Sequence, residues 1–287
     1  MVLLQRSNLR RERVFWTLLS SVVLLAFLVF FLMPLVWMVI TTFKPIGEMT
    51  DPNVHPFQIV NPTLENFTIL VENTPFVYWV GNSVFVSVVT TLFSVTVATF
   101  AAYALVRFRF RGAQTLGLSI FVSYLVPPTL LFIPMSVVVR NLGLYNNLLS
   151  LIVVYPTIMV PFCTWLLMGF FRTIPRDMED CARVDGASYW QAFRKIVLPV
   201  SKPGIISAAI FTFTLSWSEY LYALVLVPSR ASRTLPVGVP SELQVADFYM
   251  WGSIMTAALI GSLPIALLYA LSMQAFVSGL TAGAVKG

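Results

Sequence analysis

Residues 175–203 read PRDMEDCARVDGASYWQAFRKIVLPVSKP. The stretch carries about a third of the chain's charged side chains and lies between long hydrophobic runs. A bilayer core holds no water to solvate charge, so a segment this polar lies outside the hydrocarbon. It is also patterned. Pro175 suits the first turn of a helix. Asp177, Glu179 and Asp180 crowd the beginning, where the helix dipole favours acids. Met178, Cys181, Ala182 and Asp185 follow at helical spacing and give a narrow face of small and apolar groups. Gly186 fits a left-handed cap. Ser188 followed by Gln191 predicts a second helix opened by a capping box. Tyr189, Phe193 and Ile196 form one apolar stripe, and Trp190, Phe193 and Val197 an overlapping one. Pro199 and Pro203 end that helix and redirect the chain into the next run. The stretch reads as two short helices joined at a glycine.

The rest of the chain sets the class. It is 58% hydrophobic and 10% charged over 287 residues, against roughly 25% charged in soluble domains. Six runs approach or exceed the ~20 residues needed to cross hydrocarbon. They lie near 15–41, 82–106, 117–139, 148–170, 204–227 and 252–278. The expected fold is all-α, a polytopic membrane protein with about six transmembrane helices. Residues 1–14 form a polar N-terminus, and 15–287 form one membrane domain with 171–203 as its polar loop. Pro127, Pro128, Pro134, Pro156 and Pro161 load the third and fourth spans. They predict kinks packed inside a bundle, as irregular packing or as part of a pathway.

Basic residues set the topology. Arg6, Arg10, Arg11, Arg13, Arg107, Arg109, Arg111, Arg172, Arg176, Arg183, Arg194, Lys195, Lys202 and Lys286 fall in one set of segments. Only Lys44, Arg140, Arg230 and Arg233 fall in the alternate set. Both termini and the 171–203 loop are therefore expected in the cytoplasm. This sorting accounts for the net charge of +6 without nucleic acid. The first hydrophobic run is too long for a signal peptide and no small-residue cleavage pattern follows it, so it reads as an uncleaved span.

Chemistry is sparse. Cys163 falls in the fourth span and Cys181 in the loop, so a disulfide is not expected. Two thiols and a lone His55 make no zinc site. There is no phosphate loop, no H-E-x-x-H and no histidine pair. No catalytic or metal residue is assigned, and any energy source lies in another chain or an ion gradient. The outer loops, 42–81 and 228–251, read as ordered connectors or as contacts for an external partner. The 171–203 loop, with four acids among six bases, reads as a docking element for a cytoplasmic protein. The alternative is an amphipathic segment lying on headgroups, which is usually more uniformly basic.

The run Asp180-Cys181-Ala182-Arg183-Val184-Asp185-Gly186-Ala187, then Phe193, Ile196, Leu198-Pro199 and Pro203, resembles the EAA loop of ABC-importer permeases. Asp180 stands in place of that pattern's glutamate and Cys181 in place of its first alanine. Over nearly its whole length the chain is similar to the smaller membrane subunit of maltose-type carbohydrate permeases. Pro34-Leu35-Val36-Trp37, Thr42-Phe43-Lys44, Ala102-Tyr103-Ala104-Leu105-Val106-Arg107-Phe108, Ile133-Pro134 and Trp217-Ser218-Glu219-Tyr220 carry that likeness, with Ser218 where asparagine is usual.

The resemblance implies a type I importer permease fold in a bacterial or archaeal inner membrane. The loop would be a coupling helix for a separate ATPase, through Asp180, Cys181, Ala182, Asp185, Gly186, Ala187, Phe193, Leu198 and Pro199. ATP and Mg would be bound by two copies of that ATPase, not by this chain. A second, different permease and an external solute-binding protein would complete the importer, and the solute would be a carbohydrate or sugar-like molecule. Glu219 is the acid inside a span, about fifteen residues or roughly 22 Å into the fifth. It either lines the pathway or braces helices. Trp217, Tyr220 and Tyr222 either meet sugar rings or sit in the interfacial belt. The alternative to an ATP-driven importer is an ion-gradient carrier built on Glu219, which would ordinarily show more mid-membrane charges and internal repeats. A membrane enzyme is a distant third, for want of paired carboxylates or metal ligands.

Overall fold

The computed structural model describes residues 2–108, 110–245 and 248–281. The fold is all-α, in the order α1 (Val2–Phe43), α2 (Ile46–Thr50), α3 (Glu65–Glu72), α4 (Phe76–Arg107), α5 (Ala113–Tyr124), α6 (Pro128–Asn141) and α7 (Leu148–Thr173). Then come α8 (Asp177–Val184), α9 (Tyr189–Ala192), a wider π turn (Phe193–Val197), α10 (Leu198–Val200), α11 (Lys202–Ser218), α12 (Leu221–Leu226), α13 (Leu235–Leu243) and α14 (Trp251–Thr281). Among the described residues, α1, α4, α7 and α14 are long and apolar enough to cross a membrane. Counting each of two bent pairs as one span brings the number to as many as six.

The span expected at 117–139 is bent, as its prolines predict, and the single span expected at 204–227 is interrupted. The first of these breaks between α5 and α6, which meet at 94°. Pro127 and Pro128 lack N–H groups and cannot continue the α5 ladder, while Pro128 is well placed in the first turn of α6. The second run breaks at Glu219–Tyr220, between α11 and α12. Upstream, the segment 189–200 meets α11 at 72°. Proline does not always break: α7 runs unbroken through Pro156 and Pro161.

The chain divides into two compact units. One comprises Met1–Asn73 with Phe248–Ile260. Its α1 is apolar all round and unburied over its most hydrophobic stretch, as suits a helix solvated by lipid. The loop after α1 is ordered. Lys44 is buried and donates through Nζ to the carbonyls of His55 (3.2 Å) and Pro56 (3.4 Å). Asn66 Nδ2 donates to the carbonyls of Thr42 and Lys44, both at 3.0 Å. Glu48 accepts from the backbone N–H groups of Val60 (3.0 Å) and Asn61 (2.8 Å). The Val60 bond leads in holding its carboxyl below the ordinary range.

The other unit, Thr74–Asp247 with Gly261–Gly287, is organised around α4. That helix buries Ser83, Ser87, Thr90, Ser94, Ala98 and Ala102. The spacing of three and four places them on one line, and their small size lets α7 and α11 approach closely. One end of the bundle centres on Tyr155, Met159, Tyr222 and Val237, the other on Tyr103, Leu167, Phe171 and Phe193. Gly238 of α13 packs against the indole of Trp79, so that a Cβ there would clash with the ring carbons. Trp79 is fixed in turn by Nε1 donating to the Arg230 carbonyl at 2.7 Å. Gly238→Ala should therefore destabilise the fold by about 1–3 kcal/mol through overpacking. Thermal unfolding in detergent checks this, against a milder loss for Gly47→Ala, whose Cβ would meet open space.

Candidate functional site: the clamped loop

The loop between α7 and α11 forms as its local signals require. The acids Asp177, Glu179 and Asp180 occupy the first turn of α8. Pro175 lies just before the helix, with Arg176 at the cap, rather than inside the first turn. At the far end Gly186 adopts φ +91°. There the N–H of Ala187 reaches the carbonyl of Ala182 (2.9 Å) and that of Gly186 reaches Arg183 (3.1 Å), closing the helix. Ser188 and Gln191 form a complete capping box, with bonds of 2.8 and 3.2 Å. Pro199 does not end the second helix. The chain passes through the π turn and α10 and bends at Ser201.

Phe193 anchors the second half. It is 2% exposed, with ring centroids 4.6 Å from Tyr103 and 5.7 Å from Phe100. Burying a phenylalanine contributes about 2–3 kcal/mol. Glu179 anchors the first half. Its carboxylate forms an ion pair with Arg107 Nε, at the last turn of α4, the two side chains being 9% and 7% exposed. It also accepts from the Tyr103 hydroxyl at 2.8 Å. Arg107 donates onward to the Ile174 carbonyl (3.0 Å), and Arg176 to the Val106 carbonyl (2.7 Å). The start of α8 is thus tied to the end of α4.

The residues singled out in the sequence take different places. Asp180, Cys181, Asp185, Gly186 and Pro199 are exposed, Ala182, Ala187 and Leu198 half-buried, and Phe193 buried. Met178, Val184, Tyr189 and Trp190 also face outward, Val184 at 87% exposure. The outer surface of the loop therefore mixes exposed apolar side chains with charged ones, and its inner surface is clamped. Sequence reading did not assign Glu179, Arg107 and Tyr103 to the site. Glu179 stands amid other acids, and nothing local marks it as the buried one.

Glu219 lies at the break between α11 and α12. Its carboxylate accepts from the N–H groups of Tyr222 (2.9 Å) and Ala223 (3.1 Å) and from the Tyr155 hydroxyl (2.7 Å). It caps α12, supplying the partners that a broken helix in hydrocarbon needs. Tyr222 is buried and its hydroxyl donates to the Pro128 carbonyl at 2.8 Å, bracing one broken span with the other. Trp217 is buried on Phe213 and donates to the Gly261 carbonyl (3.0 Å). Tyr220 is exposed. The three aromatics do not converge on one surface.

A bundle of apolar helices with broken spans and a clamped polar loop is the frame of a multi-pass membrane permease. Residues 94–282 match the family described as "Binding-protein-dependent transport system inner membrane component", and the chain belongs to that family. It is 35% identical to the inner membrane ABC transporter permease protein YcjP of Escherichia coli, over 91% of this chain and 93% of the relative. It is also 35% identical to the diacetylchitobiose uptake system permease protein DasC of Streptomyces coelicolor, over 95% and 97%. A solved chain of a bacterial ABC transporter involved in the import of the acidic polysaccharide alginate matches with a TM-score of 0.80, covering 93% of this chain and 98% of that one. At 21% identity, that likeness is one of fold.

Removing one member of a buried ion pair leaves a desolvated charge and costs about 3–5 kcal/mol. Glu179→Gln and Arg107→Met should each lower the unfolding temperature markedly, while the double variant should recover most of the loss. A double-mutant cycle by thermal unfolding reads the coupling. Glu219→Ala should cost about 1–2 kcal/mol through the lost cap, and more than Glu219→Gln, which keeps one acceptor oxygen.

Proposed function

We propose that this chain is one of two different permease subunits of an ATP-driven importer that brings a di- or oligosaccharide, or a sugar-like solute, into the cytoplasm. Both termini and the 171–203 loop lie on the cytoplasmic side. An external binding protein delivers the solute. Two copies of a cytoplasmic ATPase bind ATP and Mg and seat the loop. Asp180, Cys181, Ala182, Asp185, Gly186 and Ala187 form the seated corner. Phe193, Leu198 and Pro199 complete the coupling element, Phe193 and Leu198 packing it onto the membrane helices.

The observation that carries this reading is the contrast between the two faces of the loop. Its inner face is fixed to α4 by Glu179, Arg107, Tyr103 and Phe193. Its outer face leaves Met178, Val184, Tyr189 and Trp190 exposed. A coupling element must be stiff, because a soft connector dissipates the displacement that selects between two packings of the bundle. The choice of a carbohydrate is supported by the relatives' names, diacetylchitobiose uptake among them. An ion-gradient carrier built on Glu219 has less support, since three donors already occupy that carboxylate.

The test is to purify the chain with its co-expressed neighbours, reconstitute it in lipid, and measure ATP hydrolysis and sugar uptake with and without the external binding protein. Gly186→Pro is the informative variant, because proline fixes φ near −65° where the corner needs +91°. An ATPase should co-purify with the parent chain, and the variant should lose it or hydrolyse ATP without uptake. A chain that purifies alone and accumulates solute on an ion gradient would overturn the proposal.

A further inference from the structure

The ends of α4, α5 and α7 nearest the loop enclose an open cavity of about 1050 Å³. Arg107, Arg111, Arg172 and Arg176 line it, and no acidic residue does. Two of these cations are engaged within the protein, Arg107 with Glu179 and Arg176 with the Val106 carbonyl. Arg111 and Arg172 are exposed and make no ion pair among the described residues. Leu105, Phe108, Phe110 and Met168 give the wall an apolar part, and Gln114 and Thr115 a neutral polar one. Phe108 and Phe110 are each about half exposed.

Charge sorting across a membrane accounts for arginines on this side, but not for their convergence on one concavity. Like charges brought together repel, and neither exposed guanidinium has an anion paired to it among the described residues. A phosphate group answers both needs, since the planar guanidinium fork matches its oxygens. The position adds a second requirement. Arg107 and Arg172 sit in the last turns of two membrane helices, where hydrocarbon gives way to headgroups. A ligand here meets cations at one edge and phenylalanine at the other, which is the chemistry of an anionic amphiphile.

We infer that this cavity is a binding site for an anionic glycerophospholipid, with its phosphate between Arg111 and Arg172 and its acyl chains against Phe108 and Phe110. The site ties the bundle to the leaflet that the coupling loop faces. Because α4 also carries the clamp on α8, an occupied cavity steadies the element through which the loop is driven. The identity of that leaflet rests on the topology proposed above. The binding itself does not, and its test uses neither transport nor ATP.

The experiment is lipid retention by native mass spectrometry. The chain, purified with its co-expressed partners, is reconstituted in nanodiscs of mixed phosphatidylglycerol and phosphatidylcholine and then released. The parent protein should retain phosphatidylglycerol selectively. Arg111→Gln with Arg172→Gln should weaken retention about thirtyfold, the effect of two arginines at an anionic surface. Arg194→Gln with Lys195→Gln removes the same charge from exposed positions on the loop and should leave retention unchanged. Arg111→Lys with Arg172→Lys should restore part of it. Equal retention in the cavity variant and the loop variant would overturn the inference. So would displacement of the lipid by millimolar inorganic phosphate, which would make the site one for free phosphate.

Discussion

The line of small residues along α4 is the constraint on which the rest of the second unit depends. Lipid tails are as apolar as leucine, so hydrophobicity alone does not hold membrane helices together. Ser83, Ser87, Thr90, Ser94, Ala98 and Ala102 let backbones come close enough for dispersion contacts to do so. α7 and α11 pack on that line, and the loop is simply the chain that joins them. Its position follows from the seam. The clamp at Glu179 follows from α4 ending in Arg107 beside the place where α7 ends.

A second constraint is the cost of breaking a helix away from water. The chain breaks two of its spans and answers each break locally. At the first, proline removes the donors outright. At the second, Glu219 caps the freed N–H groups, and Tyr155 holds the carboxylate from across the bundle. A carboxylate in a span looks like chemistry in a bare sequence. Here its oxygens are taken up in backbone closure, and the hydroxyl of Tyr222 binds the two breaks together.

What was legible in the sequence was local. The helix phase of α8, the left-handed Gly186 and the Ser188–Gln191 box depend on residues within four positions of one another, and all three form. The spans were legible in number because hydrophobic length is a property of composition. Their breaks were less so: Pro127–Pro128 interrupts a run while Pro156 and Pro161 do not, and the difference lies in neighbours that sequence does not supply. The clamp was illegible for the same reason. Arg107 and Glu179 are far apart in the chain, and charge alone does not say which of three neighbouring acids turns inward. Trp217 and Tyr222 show the converse, since aromatic rings suited to a sugar are spent on packing and carbonyl bonds.

The π turn at Phe193–Val197 has a geometric consequence for the strand of buried residues that crosses from loop to membrane. Phe193, Val197, Ser201, Gly204 and Ala208 are all buried, with two successive steps of four before the steps of three and four. In a regular α-helix a step of four overshoots a full turn by about 40°, and two such steps would carry the inward face well around the axis. A wider turn rotates less per residue and absorbs the overshoot. Loop and span therefore share one continuous inward edge of buried residues across a 72° bend.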